Sequence, residues 1–212
     1  MFASSRELGR IPVFAILGAT GSGKTTFLRR LLRAPALVQS VVIMASSQAG
    51  EVLDYPRIET ISALGDISDA GCLCCGLHSE LGDTLRKVFF GALSRRLAPV
   101  DRVFIEADCI DPAPLKLTLR HAPFLGQRYV YQTTFLVLDA EKLVRSGFDL
   151  SDSGLEFADV AVFSKSYLIP SESLHQLILA VKQLYAPLII TLSAQGVEAL
   201  HPNTLHLATL QV

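Results

Sequence analysis

An apolar, β-branched run, Ile11–Leu17, leads straight into Gly18-Ala19-Thr20-Gly21-Ser22-Gly23-Lys24-Thr25, and an amphipathic stretch, Lys24–Leu32, follows without a break. Strand, glycine-rich turn and helix in that order are what a phosphate cradle requires. Glycines let backbone N–H groups turn inward, and the helix N-terminus adds a field that favours anions. In such a cradle the residues from Gly18 to Thr26 surround the phosphates, Lys24 reaches the terminal ones and Thr25 offers its hydroxyl to Mg²⁺. The alternative is a glycine-rich turn with an incidental Lys-Thr pair, and the complete pattern directly after a strand argues against it.

The rest of the chain alternates in the same way. Ile11–Leu17, Val41–Met44, Val103–Ile105, Thr134–Leu138, Val160–Phe163 and Leu188–Thr191 read as strands. Lys24–Leu32, Ser79–Leu97, Pro112–Leu119 and Ser171–Leu184 carry apolar residues at helical spacing, with Ser171 as the expected N-cap. The expectation is an α/β, three-layer P-loop NTPase fold: a mostly parallel central sheet flanked by helices. Ala45–Gly71 is rich in Ser, Gly and Asp and reads as a functional loop region with at most a short strand near Arg57–Ile61. A length of 212 residues suits a single domain, 1–212. Half of the residues are hydrophobic and 18% are charged, which fits strands buried on both faces.

With 19 Lys and Arg against 20 Asp and Glu, the chain has no electrostatic footprint for nucleic acid or an anionic membrane. Arg6, Arg10 and the run after them imitate a secretory signal, but the phosphate-loop motif follows immediately. Elsewhere no apolar stretch reaches the roughly 18 residues of a membrane helix. Of four cysteines, three crowd into Gly71-Cys72-Leu73-Cys74-Cys75-Gly76, too close together to staple distant parts of the chain. A reducing, cytoplasmic setting follows.

Cys72, Cys74 and Cys75, with His78 nearby, form a set of soft ligands for zinc or a neighbouring transition metal. Adjacent cysteine side chains diverge, so an exchangeable or shared site is favoured over a closed structural one. Three small buried thiols in a tight turn are the alternative. Val103-Phe104-Ile105-Glu106 is an apolar strand ending in a carboxylate, from which nucleotide hydrolases orient Mg²⁺ or the attacking water; a helix-capping role is equally compatible with the local pattern.

Together these residues resemble the CobW-type metallochaperone GTPase family, relatives of the nickel-insertion GTPases that serve urease and hydrogenase, over nearly the whole chain. The family's phosphate loop matches Gly18–Thr25 and its Gly-Cys-x-Cys-Cys motif matches Gly71–Cys75. Its Glu strand and Asp-Pro loop match Ile105-Glu106 and Asp111-Pro112, and its Val-Val-Asp-Ala strand looks like Val137-Leu138-Asp139-Ala140. The resemblance implies GTP binding and hydrolysis with Mg²⁺, with Lys24 and Glu106 as catalytic residues and zinc or cobalt held near the nucleotide for a client protein. It also implies a homodimer as a family-level expectation.

Four departures qualify it. The family's guanine-reading Asn-Lys-x-Asp is Ser164-Lys165-Ser166-Tyr167 here, keeping Lys165 for the nucleotide but losing the carboxylate that accepts from guanine. Its Thr-Thr-Gly loop is Ala107-Asp108-Cys109. Its Asn-Glu-Phe-Gly-Glu is Ser47-Gln48-Ala49-Gly50-Glu51, which leaves Glu51 as the surviving metal or Mg²⁺ neighbour. Lastly, the expectation is the family's nucleotide-binding domain alone, without its C-terminal domain. A degenerate nucleotide- or metal-binding regulatory module is the competing expectation, and a small-molecule kinase with the same loop a third.

Overall fold

The computed structural model describes residues 9–45, 53, 55–61, 73–185, 188–192 and 197–199. It divides into two compact units. The first comprises the chain through Ala15 with Gln39–Thr133, and the second Ile16–Val38 with the chain from Thr134 onward.

In the first unit, β1 (Ile11–Leu17, here through Ala15), β2 (Ser40–Ala45), β3 (Ile58–Ile61) and β4 (Arg102–Ala107) lie in the order β3-β2-β4-β1. Strand β2 is parallel to both neighbours, pairing Val42 with Ile58 and Ser40 with Arg102. All six residues of β4 are buried, which is why its middle, Val103–Ile105, is a continuous apolar run instead of alternating; the charged Arg102 and Glu106 are buried on either side of it. Phe14 and Phe104 stack with ring centroids 5.3 Å apart.

Helices α2 (Leu73–Leu93), α3 (Ala113–His121) and α4 (Pro123–Arg128) complete this unit. On α2, Leu81, Leu85 and Val88 are buried at i, i+4, i+7 spacing, so the helix rests on one apolar face. The periodicity predicts a helix up to Leu97, but α2 stops at Leu93. Arg95 turns left-handed (φ 58°), Leu97 N–H donates to Gly91 O at 2.9 Å, and the Leu97 side chain folds over the space a Cβ on Gly91 would need.

The second unit holds the end of β1, helix α1 (Lys24–Leu31), β5 (Tyr129–Asp139, here from Thr134), α5 (Ala140–Arg145), β6 (Val160–Ser164), α6 (Ser171–Leu184), β7 (Leu188–Leu192) and β8 (Val197–Ala199). The strands run β5-β6-β7-β8, parallel except for the antiparallel β7–β8 pair. Phe27 and Leu28 of α1 are fully buried, and Phe27 meets Phe135 at 5.5 Å between centroids. Ser171 is not the cap of α6: Pro170 is extended at that position (ψ 146°), no side chain caps the helix, and Ser171 is its first residue. Among the described residues no helix is long and apolar enough to cross a membrane.

Candidate nucleotide site

Three glycines shape the loop after β1. Gly18 (φ 148°) has no room for a side chain, because a Cβ there would lie 2.4 Å from Val137 O and 2.8 Å from Ser22 Oγ. Gly21 (φ 75°) and Gly23 (φ 94°) take left-handed conformations that bend the loop into the first turn of α1, and Ser22 N–H closes it on Ala19 O at 3.1 Å. Ala19, Thr20 and Gly21 face solvent, while Thr25 and Thr26 sit half-buried on the first helical turn.

Lys24 is only 5% exposed. Its Nζ folds back over the loop and donates to Gly18 O at 3.0 Å and Ala19 O at 2.9 Å. Helix α1 has no side-chain cap and no acidic residue in its first turn, so its positive end is available to an outside anion. A buried cation, a glycine-only bend and an uncapped helix start therefore converge on one loop, and phosphate is the chemistry they suit.

The turn after β6 is tied to the same loop. Ser164 is buried, and its hydroxyl lies 2.5 Å from Ser22 O and 3.2 Å from Leu138 O. A Cβ on Gly23 would approach Ser164 Cβ to 3.0 Å, so the two segments are in van der Waals contact. Lys165, left-handed at φ 54°, donates through Nζ to Asp139 Oδ2 at 2.5 Å. Asp139 also accepts from Lys142 N at 3.0 Å, capping α5. Ser166 Oγ donates to Leu192 O at 2.7 Å, whereas Tyr167 stands 53% exposed. The structure thus brings Ser22, Ser164 and Lys165 together. The role of Asp139 as partner to Lys165 was not legible locally; its signal is the register of β5 on β6, which sets Asp139 against Ser164.

In the first unit, Glu106 is 3% exposed at the penultimate position of β4 and paired in register with Met44, so the strand runs one residue beyond it, to Ala107. Asp111 is a local cap: its Oδ1 accepts from Ala113 N at 2.7 Å as α3 begins. Cys109 is partly exposed, with Sγ 3.7 Å from Asp111 O. Glu51 and Cys72 lie outside the described residues. Cys74 and Cys75 fall in the first turn of α2, and their side chains are likewise outside them. Among the described residues no cluster of three or more His, Cys, Asp or Glu is placed to hold a metal.

A parallel α/β sheet, a glycine-bent loop with a buried lysine, and a helix starting on that loop define a P-loop nucleotide-binding domain. The profile of the CobW/HypB/UreG nucleotide-binding domain matches residues 12–189, and the chain belongs to that family. Zinc-regulated GTPase metalloprotein activator 1 of Saccharomyces cerevisiae is 28% identical over 155 residues, covering 68% of this chain and 34% of that protein. The chain therefore spans about a third of that relative's length. In fold it is similar to the Zn(II)-bound YjiA GTPase from E. coli (TM-score 0.60, 20% identity, 92% of this chain and 60% of that one). It is similar also to HypB from Helicobacter pylori in complex with nickel (TM-score 0.51, 16% identity, 96% and 86%).

Proposed function

We propose that this chain is the nucleotide-driven part of a cytoplasmic metallochaperone, which hydrolyses GTP and couples that cycle to handing zinc or a similar transition metal to a client protein. The observation that carries this reading is Lys24, a buried cation held over the Gly18 and Ala19 carbonyls of a glycine-bent loop, in a chain whose family is CobW/HypB/UreG. Lys24 draws the terminal phosphates into the loop. Gly18 to Gly23 and Thr26 line their path, and Lys165, fixed by Asp139, lies along the base or ribose. The donor set at the start of α1 fits Mg²⁺ through the half-buried Thr25 hydroxyl. When bound, Mg²⁺ neutralises phosphate charge. Glu106 is the carboxylate assigned to orienting the hydrolytic water, and Glu51, Cys72, Cys74 and Cys75 to holding the transported metal.

The test is phosphate release from GTP with Mg²⁺, with and without zinc, alongside a zinc titration against a chelator. Metal-dependent turnover and one tight site that weakens in Cys74→Ser and Cys75→Ser support the proposal. Turnover no higher than in a Lys24→Ala control refutes the hydrolytic part, and unchanged zinc affinity in the cysteine variants refutes the metal part.

A binding module with little hydrolysis is the second reading, favoured by Tyr167, which stands exposed where a guanine-reading carboxylate is expected. Guanine offers N–H donors that adenine lacks, and discrimination follows from giving them an acceptor. Tyr167→Asp is expected to raise the preference for GTP over ATP, read as the ratio of dissociation constants, on the order of tenfold. An unchanged ratio would remove Tyr167 from base selection.

A further inference from the structure

A second site emerges in the first unit. Arg10, directly before β1, and Lys116 and Arg120 of α3 border a hollow of about 600 Å³. Leu119 and Tyr129, 4% and 1% exposed, form its floor. Tyr131 contributes an aromatic wall, with Lys116 Nζ 5.0 Å from its ring centroid. The hydroxyl of Tyr129 donates to Leu85 O at 2.7 Å, and burial raises its phenol far above the ordinary range, so it keeps its proton. Tyr129 therefore lends the hollow apolar surface and no charge.

The three cations have no acidic partner among the described residues. Arg10 reaches only Gly126 O, at 3.4 Å, Lys116 rests on the Tyr131 ring, and Arg120 makes no hydrogen bond or ion pair there. Three like charges around one hollow, in a chain of net charge −1, repel one another, and a bound anion relieves that repulsion. The site is also wide open: Leu117 at its wall is 43% exposed, and Lys116 and Arg120 face solvent. Small-molecule sites enclose roughly 70–90% of their ligand, which this one does not.

We propose that this hollow docks an acidic segment of a partner protein, with carboxylates on Arg10, Lys116 and Arg120 and an apolar side chain seated on Leu119 and Tyr129. The interaction needs no nucleotide and is independent of the hydrolytic reading.

Fluorescence anisotropy on the full chain tests it, with a fluorescein-labelled peptide of alternating glutamate and leucine, its lysine–leucine counterpart, and decanoate as a small anionic competitor. The acidic peptide is expected to bind with strong salt dependence, and the Lys116→Glu/Arg120→Glu variant to lose on the order of tenfold or more in affinity while gaining the basic peptide. A Lys142→Glu/Lys182→Glu variant carries the same change in net charge and is expected to bind as the unaltered chain does. Thermal melts confirm that both variants fold. Equal binding of the two peptides, affinity unmoved by the Lys116 and Arg120 reversals, or saturation by decanoate with no peptide binding would each overturn the proposal.

Discussion

Lys24→Ala is expected to lower phosphate release from GTP on the order of 10²–10³-fold, the scale of removing one donor that stabilises developing charge, and to abolish the thermal stabilisation that GTP confers. Lys24 is the one cation that the loop itself buries, and its Nζ already sits 3.0 and 2.9 Å from two loop carbonyls. A phosphate entering the loop meets a charge that is desolvated and positioned beforehand. Alanine leaves only backbone N–H groups and the helix field, which bind anions but carry no full charge. The fold should survive: Ala19 faces solvent, so water replaces Nζ on its carbonyl, and only the buried Gly18 O loses a partner outright. That loss is ~1 kcal/mol, a shift of about 2–4 °C in a chain of this size. Phosphate release and nucleotide-dependent melting, measured on the same preparation, separate the two effects. A variant that melts normally, still gains stability from GTP and still turns over would remove Lys24 from the proposed chemistry. Lys24→Arg is expected to fail almost as completely, because a planar guanidinium cannot occupy the space of a compact ammonium between two carbonyls.

The loop was legible in the sequence because its glycines are obligatory. Positive φ at Gly18, Gly21 and Gly23 is a local demand, so the motif and its geometry are two views of one constraint. Strands buried on both faces were legible for a similar reason, since Val103–Ile105 of β4 and Val160–Phe163 of β6 are continuous apolar runs and need no knowledge of their neighbours. What escaped depends on contacts distant in sequence. The bond from Ser164 to Ser22 crosses 142 residues, and the pairing of Lys165 with Asp139 follows from strand register, which neither segment encodes alone. Short elements escaped as well: α4 and α5 have six residues each, and β8 has three, too few for a period to emerge. The end of α2 was missed because a left-handed arginine stops it, where a glycine would have announced the stop. The carboxylates were the ambiguous case. Glu106, Asp111 and Asp139 all follow apolar strands, yet one is buried within its strand and the other two accept backbone N–H bonds at helix starts. A strand-end carboxylate has several structural uses, and only the fold distinguishes them.

Alanine substitution along the loop separates steric demand from conformational demand. At Gly21 a Cβ would meet nothing within 4 Å, so Gly21→Ala is expected to cost only left-handed strain, roughly 1–2 kcal/mol. At Gly23 the same strain is joined by contact with Ser164 Cβ at 3.0 Å. Gly18→Ala is worst, because the methyl would lie 2.4 Å from the carbonyl oxygen of Val137. That oxygen is backbone of a buried strand, and moving it would disturb the pairing of β5 with β6. A cost of about 3–5 kcal/mol is expected for Gly18→Ala, the range in which single substitutions become diagnostic of a named clash. Urea unfolding of the three variants should rank them Gly21, Gly23, Gly18 in increasing damage. Combining Gly23→Ala with Ser164→Gly should recover part of the Gly23 cost, since it removes the opposing Cβ, while no side-chain truncation can rescue Gly18. If Gly18→Ala were as stable as Gly21→Ala, Val137 O would not be the wall that fixes the loop. Nucleotide binding would then depend on glycine flexibility at that position and not on the close approach of the two segments.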